Sequence, residues 1–174
     1  MKKIEKREKK SGWACEFRRQ VKKLKRKSGE KWYNRSQPHI GELQKTGRGN
    51  CVAWSLLAKK IAIGMGLQVV VLDTKNIRDN RIWWSLHRTI IVFEKNGEVW
   101  QQSNIWFKPI ERFRTSTRIN FSRVWKTILS YLKQIKKRWR WKTLPQIDNL
   151  WYYYGSKVER IIMDGKRTRK PEKK

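Results

Sequence analysis

Apolar positions recur along this chain with two different periods, and the switches between them divide it into elements. Trp13, Phe17, Val21 and Leu24 fall on one narrow stripe among Lys and Arg, and Ser28-Gly29 follows. That spacing predicts an amphipathic helix closed by glycine. Residues 30–49 lose the period and collect Pro38, Gly47, Gly49, Asn and Ser, which reads as a loop. From Cys51 the helical spacing returns through Ala53, Trp54, Leu57, Ala58, Ile61, Ala62 and Met65, with Gly64 and Gly66 as the stop. The β-branched run from Leu67 to Leu72, bounded by Gly66 and Asp73, predicts a buried strand, and a polar loop follows from Thr74 to Arg81.

Strand formers fill Trp83 to Phe93, Lys95-Asn96-Gly97-Glu98 is a strong hairpin turn, and Val99 to Ser103 returns. With a two-residue loop at Asn96-Gly97, Phe93 pairs with Trp100, Ile91 with Gln102 and Thr89 with Asn104. His87 then shares a face with Asn104, one diagonal step away, within reach of longer side chains. Beyond Trp106-Phe107-Lys108-Pro109, the residues Phe121, Val124, Trp125, Ile128, Leu129, Leu132, Ile135 and Trp139 predict a long amphipathic helix. Lys and Arg crowd its other faces, and Pro145 breaks it. Trp151–Tyr154 and Val158–Met163 read as two short strands or as aromatic packing over the core. No internal repeat is visible. The expected organisation is a basic helical arm over residues 1–29, one domain over 30–165, and a basic tail over 166–174.

Charge changes the picture most. Lys and Arg number 44 against 14 acids in 174 residues, a formal charge of +30. Such a surface attracts nucleic acid, acidic protein or anionic membrane. Eleven Trp, five Tyr and five Phe nevertheless exclude a disordered basic tail, so a folded domain carries a basic coat. Cys15 and Cys51 are too few for a disulfide framework, and with only His39 and His87 besides, neither a metal site nor a cofactor is expected. No apolar run approaches the roughly 20 residues of a membrane span. The basic N-terminus lacks the apolar segment of a secretory signal, so the expected compartment is reducing, intracellular and cytoplasmic.

Cys51 in a first helical turn meets free backbone N–H groups and the positive end of the macrodipole, which favour negative charge. A cysteine at a helix start, a histidine in a strand and a polar residue on the adjoining strand together have the logic of a Cys-His-Asn triad. The thiolate attacks an acyl carbon, the imidazole shuttles the proton, and the third group fixes the tautomer. In an inert alternative, Cys51 is a buried thiol and His87 a structural strand histidine.

Over about residues 47 to 110 the chain resembles the transglutaminase-like superfamily, with its papain-type core. The resemblance rests on Gly49-Asn50-Cys51 opening a helix, Gly66 before a strand, His87-Arg88-Thr89-Ile90-Ile91-Val92, Gly97, and Trp100-Gln101-Gln102-Ser103-Asn104. Asn104 stands where the family usually has Asp, Arg88 replaces the usual aromatic after the His, and the basic C-terminal third has no counterpart. The resemblance implies an α+β fold, a Cys51 helix packed on an antiparallel sheet that holds His87 and Asn104. It also implies an oxyanion donor, for which the Cys51 N–H, Gln44 (similar to the papain-type glutamine) and Trp32 or Tyr33 are candidates.

Two functions are therefore expected. One is a thiolate acyl-transfer enzyme (peptidase, amidase, deamidase or cross-linker) acting on a protein or peptide. The other is a non-catalytic, Trp-rich module that binds nucleic acid or another polyanion.

Overall fold

A computed structural model describes residues 12–75, 87–112, 119–138, 146–154, 157–161 and 167–168. Its centre is an antiparallel sheet covered by helices on both faces. The strands are β1 (Gln68–Lys75), β2 (His87–Phe93), β3 (Glu98–Ser103), β4 (Trp106–Arg112), β5 (Gln146–Tyr154), β6 (Lys157–Ile161) and β7 (Arg167–Thr168), in the order β4-β3-β2-β1-β5-β6-β7. The helices are α1 (Gly12–Ser28), α2 (Ile40–Thr46), α3 (Cys51–Gly64) and α4 (Phe121–Arg138). The α+β class and the antiparallel sheet match the sequence expectation.

Side-chain alternation along the strands divides the interior into two cores. Val69, Val71, Ile90, Val92 and Trp100 pack with α1 and α3. Val70, Leu72, Ile91, Phe93 and Val99 pack with Val124, Ile128 and Leu132 of α4 on the other face. The stripe of α1 is fully used in the first core: Trp13 stacks on Phe17 at 5.7 Å between ring centres, and both meet Phe107 edge-on. Trp13 Nε1 donates to Ala58 O at 3.4 Å, which ties α1 to α3. The N-terminal helix thus packs on the domain.

The local chemistry around Cys51 is tightly set. Asn50 caps α3, its Oδ1 accepting from the N–H groups of Val52 (2.9 Å) and Ala53 (3.2 Å). Gly49 forms a parallel bridge with Tyr33, and a Cβ there would lie 2.8 Å from the Ala53 Cβ. Gly47 adopts φ 72°, and a Cβ there would lie 2.1 Å from Leu24 O. These two glycines let α1, α2 and the start of α3 meet.

Three features differ from the sequence expectation. The loop expected over residues 30–49 contains α2, a seven-residue helix whose one buried residue, Leu43, is too little for a period to show. The segment from Trp106 forms a strand, β4, at the sheet edge, where the missing N–H of Pro109 is tolerated. Finally, the β2–β3 loop has three residues, Lys95, Asn96 and Gly97. Glu94 N donates to Glu98 O at 2.8 Å and Gly97 N to Glu94 O at 3.0 Å. Gly97 sits at φ 82°, the left-handed position of a bulged three-residue turn. The register moves by one: Val92 faces Trp100 and Ile90 faces Gln102. Of the loop expected from Thr74 to Arg81, Thr74 and Lys75 instead end β1, and residues 76–81 lie outside the described residues, as do Trp139, Pro145 and most of the basic tail.

Candidate functional site

Cys51 begins α3, half-buried, one helical turn before Ser55. Ser55 Oγ lies 3.3 Å from both Arg88 O and Gln102 Oε1, so this face of α3 rests on β2 and β3. Alternation then decides which β2 side chains share the layer of Cys51. Ile90 and Val92 belong to the α3 side, and with them Arg88. Thr89, Ile91 and Phe93 face the α4 side, and with them His87. The β1–β2 register runs unbroken from Gln68/Phe93 to Thr74/His87, so no bulge reverses this assignment.

His87 therefore points away from the cysteine layer. Its Nε2 lies 2.5 Å from Ser103 Oγ, the residue that the shifted register places diagonally across from it. Burial holds the imidazole below its ordinary pKa, with the Asp73 charge opposing that effect. Asn104 is not its partner. It occupies the β3–β4 turn at φ 51°, its carbonyl accepts from Gln102 Nε2, and its buried Oδ1 has no hydrogen-bond partner among the described residues. Gln44 is exposed on α2, where its backbone carbonyl accepts from Lys27 Nζ at 3.0 Å. The four residues expected to act together are thus distributed over both layers and the periphery; for His87 and Asn104 the cause is one residue of loop length, which exchanges the faces of the partner strand.

What accompanies Cys51 is a different set. Arg88 makes a two-pronged ion pair with Asp73, its cross-strand neighbour, Nε to Oδ1 at 2.6 Å and the terminal nitrogen to Oδ2 at 2.7 Å. The guanidinium lies 5.3 Å from the Trp151 ring centre, and Lys59 Nζ lies 4.5 Å from that of Tyr153. Between them is a cavity of about 110 Å3 whose walls include Ser55, Lys59, Val71, Arg88 and Trp151. The Asp73 hydrogen bonds raise the Arg88 pKa, and the Cys51 charge adds to that. Burial first, and Cys51 second, raise the Tyr33 pKa above the ordinary phenol range. Both groups therefore stay protonated at neutral pH. Neither is a general base at neutral pH.

Sequence reasoning missed Arg88, Asp73 and Trp151. Ser55, one turn after Cys51, is legible from helical spacing. Arg88 follows from its position beside His87 once the loop length is known. The pairing of Asp73 depends on the register of β1 and β2, which no local turn signal sets.

Among the described residues, no group of three His, Cys, Asp or Glu is placed to hold a metal ion, and no helix is long and apolar enough to cross a membrane. No protein-family model, curated protein or solved structure matches this chain.

Proposed function

We propose that this protein binds nucleic acid through its phosphates, as a basic α+β module. The observation that carries this reading is the direction in which the charge points. Both outer layers are amphipathic helices whose apolar stripes are spent in the two cores. Their cations consequently project outward: Arg18, Arg19, Lys22, Lys23, Lys25, Arg26 and Lys27 on α1, and Lys126, Lys133 and Lys137 on α4, are all exposed. With 44 Lys and Arg against 14 acids in the whole chain, the acids are too few to neutralise most of the cations. Counterion release on phosphate contact is the matching driving force. Trp106 on β4, 65% exposed, and Tyr33, 48% exposed, add aromatic faces on which bases can stack. Titration with labelled single-stranded and duplex nucleic acid at several salt concentrations tests the reading. The expected result is binding that weakens steeply with salt; no binding at low salt would end it.

A second reading, thiolate acyl transfer by a transglutaminase-like core on a protein or peptide, is favoured by one observation. Cys51 is half-buried at the start of a capped helix lying on an antiparallel sheet, with the Tyr33 phenol held protonated near it. The Cys51 N–H and Tyr33 would then serve as oxyanion donors. In this arrangement the proton acceptor is not His87. Labelling with a thiol-directed acyl probe, compared between the protein and its Cys51→Ala variant, tests it. Labelling no faster than that of a free thiol would exclude this chemistry.

A further inference from the structure

The nucleic-acid reading leaves open which surface meets the ligand and which form of nucleic acid it takes; the inference below rests on that reading. Helix α1 is 17 residues long, about 25 Å, and is fixed to the domain along one side by Trp13, Phe17, Val21 and Leu24. On the opposite side, spacings of four, three and four residues align Cys15, Arg19, Lys22 and Arg26 into one ridge. Lys23 and Lys25 flank it, and every exposed residue from Arg18 to Lys27 is Lys or Arg. The helix has a single acid, Glu16, which Arg19 covers with two hydrogen bonds of 2.8 Å. On α4, Ser122 and Gln134 interrupt the exposed basic face.

This ridge discriminates among polyanions. An interfacial membrane helix inserts an apolar face, and that of α1 is already buried in the core. A protein interface needs apolar or aromatic residues at its centre, and the ridge offers none. Single strands need stacking platforms, also absent from the ridge; the exposed Trp106 lies on the opposite face of β4 from Phe107, the residue under α1, and the exposed Tyr33 lies off α1, bridged to Gly49. What remains is a rigid row of cations facing a rigid row of phosphates. We propose that the outer face of α1 is a sequence-independent docking surface for the phosphate backbone of a nucleic-acid duplex, with Cys15 inside the contact.

Two variants with equal loss of charge test this. One carries Lys22→Gln, Lys23→Gln and Arg26→Gln on α1; the other carries Lys126→Gln, Lys133→Gln and Lys137→Gln on α4. All six positions are exposed, and glutamine keeps a good helix propensity. Binding is measured for a random-sequence DNA duplex of about 20 base pairs, its single strand, and phosphatidylserine vesicles, from about 50 to 200 mM salt. The α1 variant should lose about tenfold or more in duplex affinity, and its log–log salt slope should fall by about 3. The α4 variant should lose less than about threefold, because its charges act only at long range. Saturating duplex should slow maleimide labelling of Cys15 and leave that of Cys51 unchanged. Equal losses in the two variants, unprotected Cys15, or tighter binding to single strand or vesicles would overturn the α1 assignment while leaving polyanion binding intact. Failure of the unmodified protein to bind any nucleic acid would overturn both.

Discussion

His87 and Cys51 lie on opposite faces of the sheet: the imidazole contacts Ser103 on the face that α4 packs against, and the thiol begins the helix that covers the other face. The intervening sheet separates the two groups. This relationship makes the reactivity of Cys51 independent of His87. Alkylation of Cys51, followed across pH in a Cys15→Ala background, should give the same profile in His87→Ala as in the parent. A slower low-pH phase in His87→Ala would instead mean that the two side chains meet, and would restore the triad.

The half-buried imidazole has its own consequence for pH dependence. Burial lowers the pKa of His87 below its ordinary 6.5, the nearby Asp73 opposing only in part. The unfolded chain therefore takes up this proton first as pH falls. Stability from this group is complete above about pH 6.5 and is lost as pH drops through the folded-state value. His87→Gln removes the titration and keeps a hydrogen-bonding group for Ser103. Urea unfolding between about pH 7.5 and 5 should show a steeper decline for the parent than for His87→Gln. Parallel curves would show that His87 is not buried as a neutral base.

The approach of α1 to the Cys51 region depends on glycine at two places with different severity. Gly47 combines φ 72° with a backbone oxygen 2.1 Å from the position a Cβ would take, so both strain and overlap oppose any side chain. At Gly49 the nearest atoms are side-chain carbons, Ala53 Cβ at 2.8 Å and Leu43 Cδ1 at 3.3 Å, and the backbone is not left-handed. Gly47→Ala should therefore cost about 3 kcal/mol or more and Gly49→Ala about 1 to 2 kcal/mol, read from denaturant midpoints. The reverse order would mean that the start of α3 is the tighter junction.

Helical elements were legible because their apolar stripes are long: α1, α3 and α4 follow the spacing of Trp13–Leu24, Ala53–Ala62 and Val124–Leu132, with Gly29 after α1 and Gly66 after α3. The existence of the β2–β3 hairpin was equally plain from Asn96-Gly97. Its loop length was not. The same dipeptide suits a two-residue turn and, with Gly97 left-handed, a three-residue turn, and the choice inverts every facing residue of the partner strand. Cys51 was placed correctly at its helix start, whereas His87 and Asn104 failed as partners on that one-residue difference. Asp73 and Arg88 were silent for another reason: they meet through pairing of β1 with β2, across a connection whose length carries no register information.

That Arg88–Asp73 pair leads to the last prediction. The side chains are 22% and 13% exposed, so both charges have given up most of their water. Their geometry is favourable, with two parallel hydrogen bonds and the Trp151 ring beside the guanidinium. Removing one partner leaves the other charge largely buried, which costs more than the pair contributes relative to uncharged residues. Arg88→Met and Asp73→Asn should each destabilise the fold by about 2 to 4 kcal/mol. The double variant should be less destabilised than the sum of the singles by at least about 1 kcal/mol, since no orphaned charge remains. Arg88→Met should carry a further mark that Asp73→Asn lacks: loss of the cation beside Trp151 should change that residue's environment, read as near-ultraviolet circular dichroism against a Trp151→Phe control. Additive destabilisation in the cycle would mean that the two charges are solvated independently of each other.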